Sequence, residues 1–172
     1  MLQYSTLDTP IGQFTVVVSD AGAVRAGGFT SDVGELLPLI HPQLIEDLRP
    51  VADAGAVGAA VQSYFDGDLA ALDEVPVEQR IGGRFIAEAW NVMRTIKPGA
   101  PVTYTEFAGL AGRPDAIRAA AAACARNAVA LFVPCHRVRR SDGTLGGYRW
   151  GLTVKSWLLD HEQSASGQDA AA

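Results

Sequence analysis

Near the amino terminus, apolar and polar positions alternate in three short runs, at residues 3–8, 13–19 and 23–29. Alternation with a period of two marks a strand with one buried face. Thr9-Pro10-Ile11-Gly12 and Asp20-Ala21-Gly22 put proline and glycine where tight turns need them. The pattern predicts a three-stranded meander. Residues 35–40 and 57–65 look helical, the second ending at Asp66-Gly67. Residues 42–56, rich in Pro, Asp and Ala, carry no assignable pattern.

From residue 85 the period changes. Phe85, Ala89, Val92, Met93 and Ile96, with Trp90, recur at helical spacing until Lys97-Pro98-Gly99. Thr103 and Glu106 read as a capping box opening a short helix to Leu110, followed by Gly112. Pro114 suits the first turn of a second helix over 115–126. Together they have the outline of a helix-turn-helix. The second helix is nearly bare: Ala116, Ala119, Ala120, Ala121, Ala122, Ala123 and Ala125, flanked by Arg113, Arg118 and Arg126. A helix reading base edges would carry longer polar side chains. This one suits either close packing or close approach to a narrow groove without reading sequence. Residues 69–84, with Asp73-Glu74-Val75-Pro76 and Gly82-Gly83, read as a linker. The expected organisation is a structural domain at 1–68, a helical domain at 85–162 and a disordered tail at 163–172.

Charge sharpens this division. The net charge of −5 disfavours a nucleic-acid partner, but its distribution does not. Residues 1–84 carry 4 Lys/Arg against 12 Asp/Glu, whereas residues 101–157 carry 8 against 3. Only the second half is suited to phosphate. No apolar run approaches the roughly 20 residues that span a bilayer, so no membrane partner is expected. Residues 1–9 lack the pattern of a signal peptide. Cys124 and Cys135 fit neither a disulfide framework nor zinc spacing, so no metal is expected, and a free thiol fits a reducing cytoplasm.

The candidate chemistry lies at the end of the apolar run 128–133, where Pro134 leads into Cys135-His136-Arg137-Val138. Thiolate is the nucleophilic form of cysteine, and a neighbouring imidazole and guanidinium are expected to lower the Cys135 pKa. The alternative is a buried cysteine beside a surface histidine. The wording Val-Pro-Cys-His-Arg-Val, with Asn127 eight residues before the cysteine, closely resembles the active site of O6-alkylguanine-DNA alkyltransferases. Tyr104, Arg118, Gly147-Tyr148 and Lys-Ser-Trp-Leu-Leu-Asp-His-Glu at 155–162 extend that resemblance.

The resemblance implies an α/β (α+β) fold: a small ribonuclease-H-like amino-terminal domain with an antiparallel sheet, then a mainly helical domain containing a helix-turn-helix. It implies a direct-reversal DNA repair protein that flips O6-alkylguanine out of the duplex and moves the alkyl group irreversibly to Cys135. His136 would take the thiol proton through a water, Glu162 would hold the imidazolium, and Asn127 would bond the turn presenting the cysteine. Tyr104 would donate to the departing guanine. The carbonyls of Cys135 and Val138 would read its exocyclic amine, and backbone donors at Tyr148 and Arg149 would face O6. Tyr148 would wall the pocket and Cys124 would line it. Arg118 would fill the gap left in the stack, while Ala119, Arg113 and Arg126 would meet double-stranded DNA in the minor groove, largely independent of sequence. No cofactor is implied, and a monomer is expected, with cooperation along DNA left open. Where the family often has proline after the asparagine, Ala128 and Ala130 suggest a less rigid pocket wall that tolerates larger adducts. The rivals are a binding-only alkylguanine sensor, an alkylation-responsive helix-turn-helix regulator and a Cys-His hydrolase. Cys135 disfavours the first, the missing effector motif the second, and Pro134, which offers no oxyanion donor, the third.

Overall fold

The computed structural model describes the backbone of residues 1–171 and the side chains of residues 1–167. The chain forms two compact units, Met1–Arg80 with Ala128–Phe132, and Ile81–Asn127 with Val133–Ala172.

In the first unit β1 (Leu2–Thr9), β2 (Gly12–Ser19) and β3 (Val24–Gly28) form the expected antiparallel meander, with Thr9 paired to Gly12 at the first turn. Phe14 to Val18 form an unbroken buried run because β2 is an interior strand whose faces are both covered. A fourth strand, β4 (Leu48–Pro50), pairs parallel to β1 and gives the order β3-β2-β1-β4. Three residues ending in proline are too few to show alternation, so the sequence pattern could not reveal it. Helix α1 (Gly55–Phe65) buries Val57, Val61, Tyr64 and Phe65. Residues 35–40 do not form the expected helix. They belong to short 3-10 turns at Val33–Glu35 and Leu37–Leu39, since Pro38 lacks the N–H that a continuing helix would need. Leu69 and Leu72 are buried and Val77 bridges Val24, so residues 69–80, read as linker, pack within this unit.

The second unit contains α2 (Arg84–Met93), α3 (Tyr104–Leu110), α4 (Ile117–Ala125) and α5 (Leu152–Ala171). Two short strands, β5 (Val102–Thr103) and β6 (Val138–Arg139), pair in parallel. The capping box forms as expected: Glu106 N–H donates to Thr103 Oγ1, and Thr103 N–H donates to Glu106 Oε1. Gly112, at φ +82°, makes the turn towards α4 in a conformation costly for any other residue. Ala120 and Ala123 are fully buried, and Trp90 Nε1 donates to the Ala123 carbonyl at 2.9 Å. The bare face of α4 is therefore partly a packing surface. Its other side leaves Arg118 exposed.

The tail expectation is corrected over residues 163–167; its remaining part, 168–172, lies outside the residues whose side chains are described. Helix α5 continues past Glu162, burying Ala165, and Ser166 Oγ donates to the Pro98 carbonyl at 3.2 Å. Gln163 to Ser166 contain no helix breaker, and composition alone hid the packing that holds them. The result is a mixed α/β fold with an antiparallel-rich sheet in one unit and helices dominating the other.

Candidate active site

The cysteine is delivered by a loop whose neck is tied. Asn127 Nδ2 donates to the Val133 carbonyl at 2.7 Å, closing the excursion 128–132 at its two ends. Pro134 then starts a 3-10 turn, Cys135–Arg137, in which the Val138 N–H donates to the Cys135 carbonyl. Cys135 is buried, with 8% of its residue surface exposed.

His136 is fully buried beside it in sequence, with its ring Nε2 2.8 Å from Glu162 Oε2. Arg137 grips the same carboxylate through Nε at 2.8 Å and Nη2 at 2.9 Å, while its Nη1 donates to the Ile96 carbonyl. Burial would raise the Glu162 pKa, but His136 and Arg137 outweigh it and hold the carboxyl well below its usual range. The His136 pKa is lowered by burial despite Glu162. An ionised Glu162 beside a neutral imidazole fixes the tautomer: Nε2 carries the proton and donates to the carboxylate. Nδ1 is then a buried acceptor with no hydrogen-bond partner among the described residues.

The Cys135 pKa is raised, not lowered, because burial outweighs Asn127, Lys155 and Arg149. The expected low pKa is therefore corrected: at rest the group is a thiol. Sequence proximity of Cys, His and Arg could not show this, since both basic side chains turn towards Glu162 and the cost of desolvation is tertiary. Burial likewise raises Cys124, which is partly exposed. Tyr104, half-buried at the start of α3, is raised by burial and stays a phenol. A Cβ on Gly146 would come within 2.9 Å of the Tyr104 hydroxyl, and Gly146 adopts φ +74°, so only glycine lets that ring approach. The Tyr148 hydroxyl is buried and has no hydrogen-bond partner among the described residues.

Lys155 was missed as a site residue. It is buried on α5, and its Nζ donates to the carbonyls of Val138, Leu145 and Gly147 at 2.8, 2.6 and 3.3 Å. This clamp gathers the 145–147 loop against β6. The carbonyls of Cys135 and Val138 thus each hold one donor already and offer only a second lone pair. The signal was present: Lys155, Leu158, Glu162 and Ala165 fall on one helical stripe, where charged residues among apolar ones mark buried partners. Arg113, Arg118 and Arg126 are exposed, Ala119 is half-buried, and Arg149 Nη2 donates to the Ala125 carbonyl. Ala128 and Ala130, expected to loosen a pocket wall, hydrogen-bond Gly27 in the first unit.

Residues 84–164 match the family model described as the DNA-binding domain of 6-O-methylguanine DNA methyltransferase. A methylated-DNA–protein-cysteine methyltransferase of Rattus norvegicus is 47% identical, over 99% of this chain and 86% of its own. The chain belongs to that family. Among its relatives is the bifunctional transcriptional activator/DNA repair enzyme Ada of Escherichia coli, 34% identical over 94% of this chain. The chain spans only 45% of Ada. A solved structure of Mycobacterium tuberculosis OGT in complex with DNA superposes with a TM-score of 0.78. It is 28% identical and covers 95% of this chain and 94% of its own.

Proposed function

We infer that this methyltransferase-family chain repairs O6-alkylguanine in duplex DNA by taking the alkyl group onto Cys135. The observation that carries the reading is the arrangement of His136, the residue after Cys135 in the chain, with Nε2 held by Glu162 and Nδ1 left as a buried acceptor. The thiol proton passes to Nδ1 through a bridging water as the sulfur attacks. A new S–C bond forms, the C–O6 bond breaks, and guanine keeps the electron pair and is reprotonated. The imidazolium formed is stabilised by a carboxylate that is already ionised. Because Cys135 starts as a thiol, deprotonation belongs to the reaction itself. Tyr104, protonated at neutral pH, donates to the purine as negative charge develops.

The sulfur cannot reach O6 within a stacked duplex, so the nucleotide is rotated out at a cost of a few kcal/mol. The exposed start of α4 supports Arg118 filling the gap, with Ala119 admitting the helix to the minor groove and Arg113 and Arg126 meeting phosphates. The unit of action is a monomer. The thioether product is a poor leaving group, so each molecule acts once, and an acceptor thiol suits a reducing cytoplasm.

Intact mass after mixing with a duplex carrying one O6-methylguanine tests this. A gain of one methylene is expected, absent in Cys135→Ala. Unchanged mass in the wild type with the lesion intact sinks the reading.

A further inference from the structure

The outer edge of β3 is covered by two separate stretches of chain. Val24 bridges Val77, with the Val24 N–H donating to the Pro76 carbonyl and the Glu78 N–H to the Val24 carbonyl. Further along, Gly27 bridges Val129: the Gly27 N–H donates to the Ala128 carbonyl at 3.0 Å, and the Ala130 N–H returns to the Gly27 carbonyl at 3.1 Å. Gln79 follows the first stretch and reaches the second, its Oε1 accepting from the Ala128 N–H at 2.9 Å. A side chain at Gly27 would be tight, since a Cβ there would meet Phe14 Cζ at 3.1 Å and the Ala130 carbonyl at 3.4 Å, so that its neighbours would have to give way. Leu131, two residues beyond this bridge, is the one non-glycine residue at positive φ (+75°) among the described residues. A bulky residue in that region is strained and persists only where its surroundings fix it.

Residues 128–132 belong by contact to the first unit, whereas Asn127 and Val133 on either side belong to the second. Cys135 follows two residues after Val133. We propose that Gln79 is a positioning residue for alkyl transfer, fixing with the β3 edge the register of residues 128–130, the backbone stretch that leads through Leu131 and Phe132 into the Val133-Pro134-Cys135 turn. The magnitudes favour such a role. A one-residue slip displaces a strand by about 3.3 Å and reverses its side chains. An aligned displacement loses roughly a hundredfold for about 1 Å of misplacement. Two backbone hydrogen bonds join Gly27 to residues 128 and 130, and the Gln79 contact adds a side-chain bond at the start of the same segment. No base, phosphate or alkyl group need touch Gln79.

The proposal rests on the alkyl-transfer reading, and one experiment separates the two. Single-turnover rates are measured for wild type, Gln79→Ala, Gln79→Asn and Gln79→Glu with an O6-methylguanine duplex and with the free base O6-benzylguanine. Duplex affinity and melting temperature are measured alongside. A wild type that transfers nothing refutes the reading itself. Given transfer by the wild type, the Ala and Asn variants, which lose the oxygen or its reach, are expected to slow about tenfold on both substrates at unchanged duplex affinity. The Glu variant keeps an acceptor oxygen and is expected to stay near the wild-type rate. Wild-type rates in the Ala and Asn variants overturn the proposal, as does a loss confined to the duplex or one that follows the unfolded fraction.

Discussion

Glu162 is the residue on which the local electrostatics turn. It accepts from His136 and twice from Arg137 within a fully buried site, so its charge is compensated on both sides. Folding lowers the proton affinity of both His136 and Glu162, so the unfolded chain binds the extra protons. Stability is therefore complete above pH 6.5, the ordinary imidazole value. It is drawn down in acid first by His136 and then, below about 4.5, by Glu162. Urea midpoints of wild type and Glu162→Gln should differ by a constant amount near neutrality and converge as pH falls through 4.5. A gap unchanged at pH 4 would contradict the ionised carboxylate. The alkyl-transfer rate should be level from neutral to mildly alkaline pH and decline only below the usual imidazole range, where Nδ1 gains a proton. At this scale the motif from Pro134 to Val138 was legible because its residue types and order are chemically particular. The thiol's raised pKa was not, because it depends on what surrounds the sulfur.

Among the elements, α4 has the clearest division of labour. Its Ala120 and Ala123 stripe receives Trp90, and its opposite side presents Arg118 to solvent. Truncating Arg118 should leave packing intact and remove only what the guanidinium does for an extruded nucleotide. Arg118→Ala is expected to slow repair of an O6-methylguanine duplex about tenfold while leaving the reaction with free O6-benzylguanine unchanged. Full activity on the duplex would exclude intercalation. Elements with strong periodicity were legible within a residue or two, as β1 to β3 and α3 show, whereas α2 starts where expected but ends at Met93, three residues before the last apolar position of its pattern, Ile96. Those that failed did so for local reasons. Pro38 interrupts a helical pattern, β4 is too short to alternate, and α5 near Ala165 and Ser166 is held by contacts that composition does not encode.

For the molecule as a whole, acidic and basic charge segregate along the sequence, which the net value of −5 conceals. On the proposed reading Arg113 and Arg126 meet phosphates, which makes about two phosphate neutralisations. The logarithm of affinity should then fall with the logarithm of salt at a slope of roughly −2, weakening binding about 12-fold between 50 and 200 mM. Fluorescence anisotropy on an unmodified duplex measures this, and a flat salt response would exclude electrostatic docking. The return of residues 128–132 to the first unit was not legible in the sequence, because an apolar run does not announce which core it joins.

Helix α5 bears Lys155 and Glu162 two turns apart on one stripe, so a single rod carries both the tether of the 145–147 loop and the carboxylate that holds His136. Neither can drift while the other holds. Heat or denaturant that lifts this rod should silence proton transfer and loop order together, in a single step with no half-competent stage between.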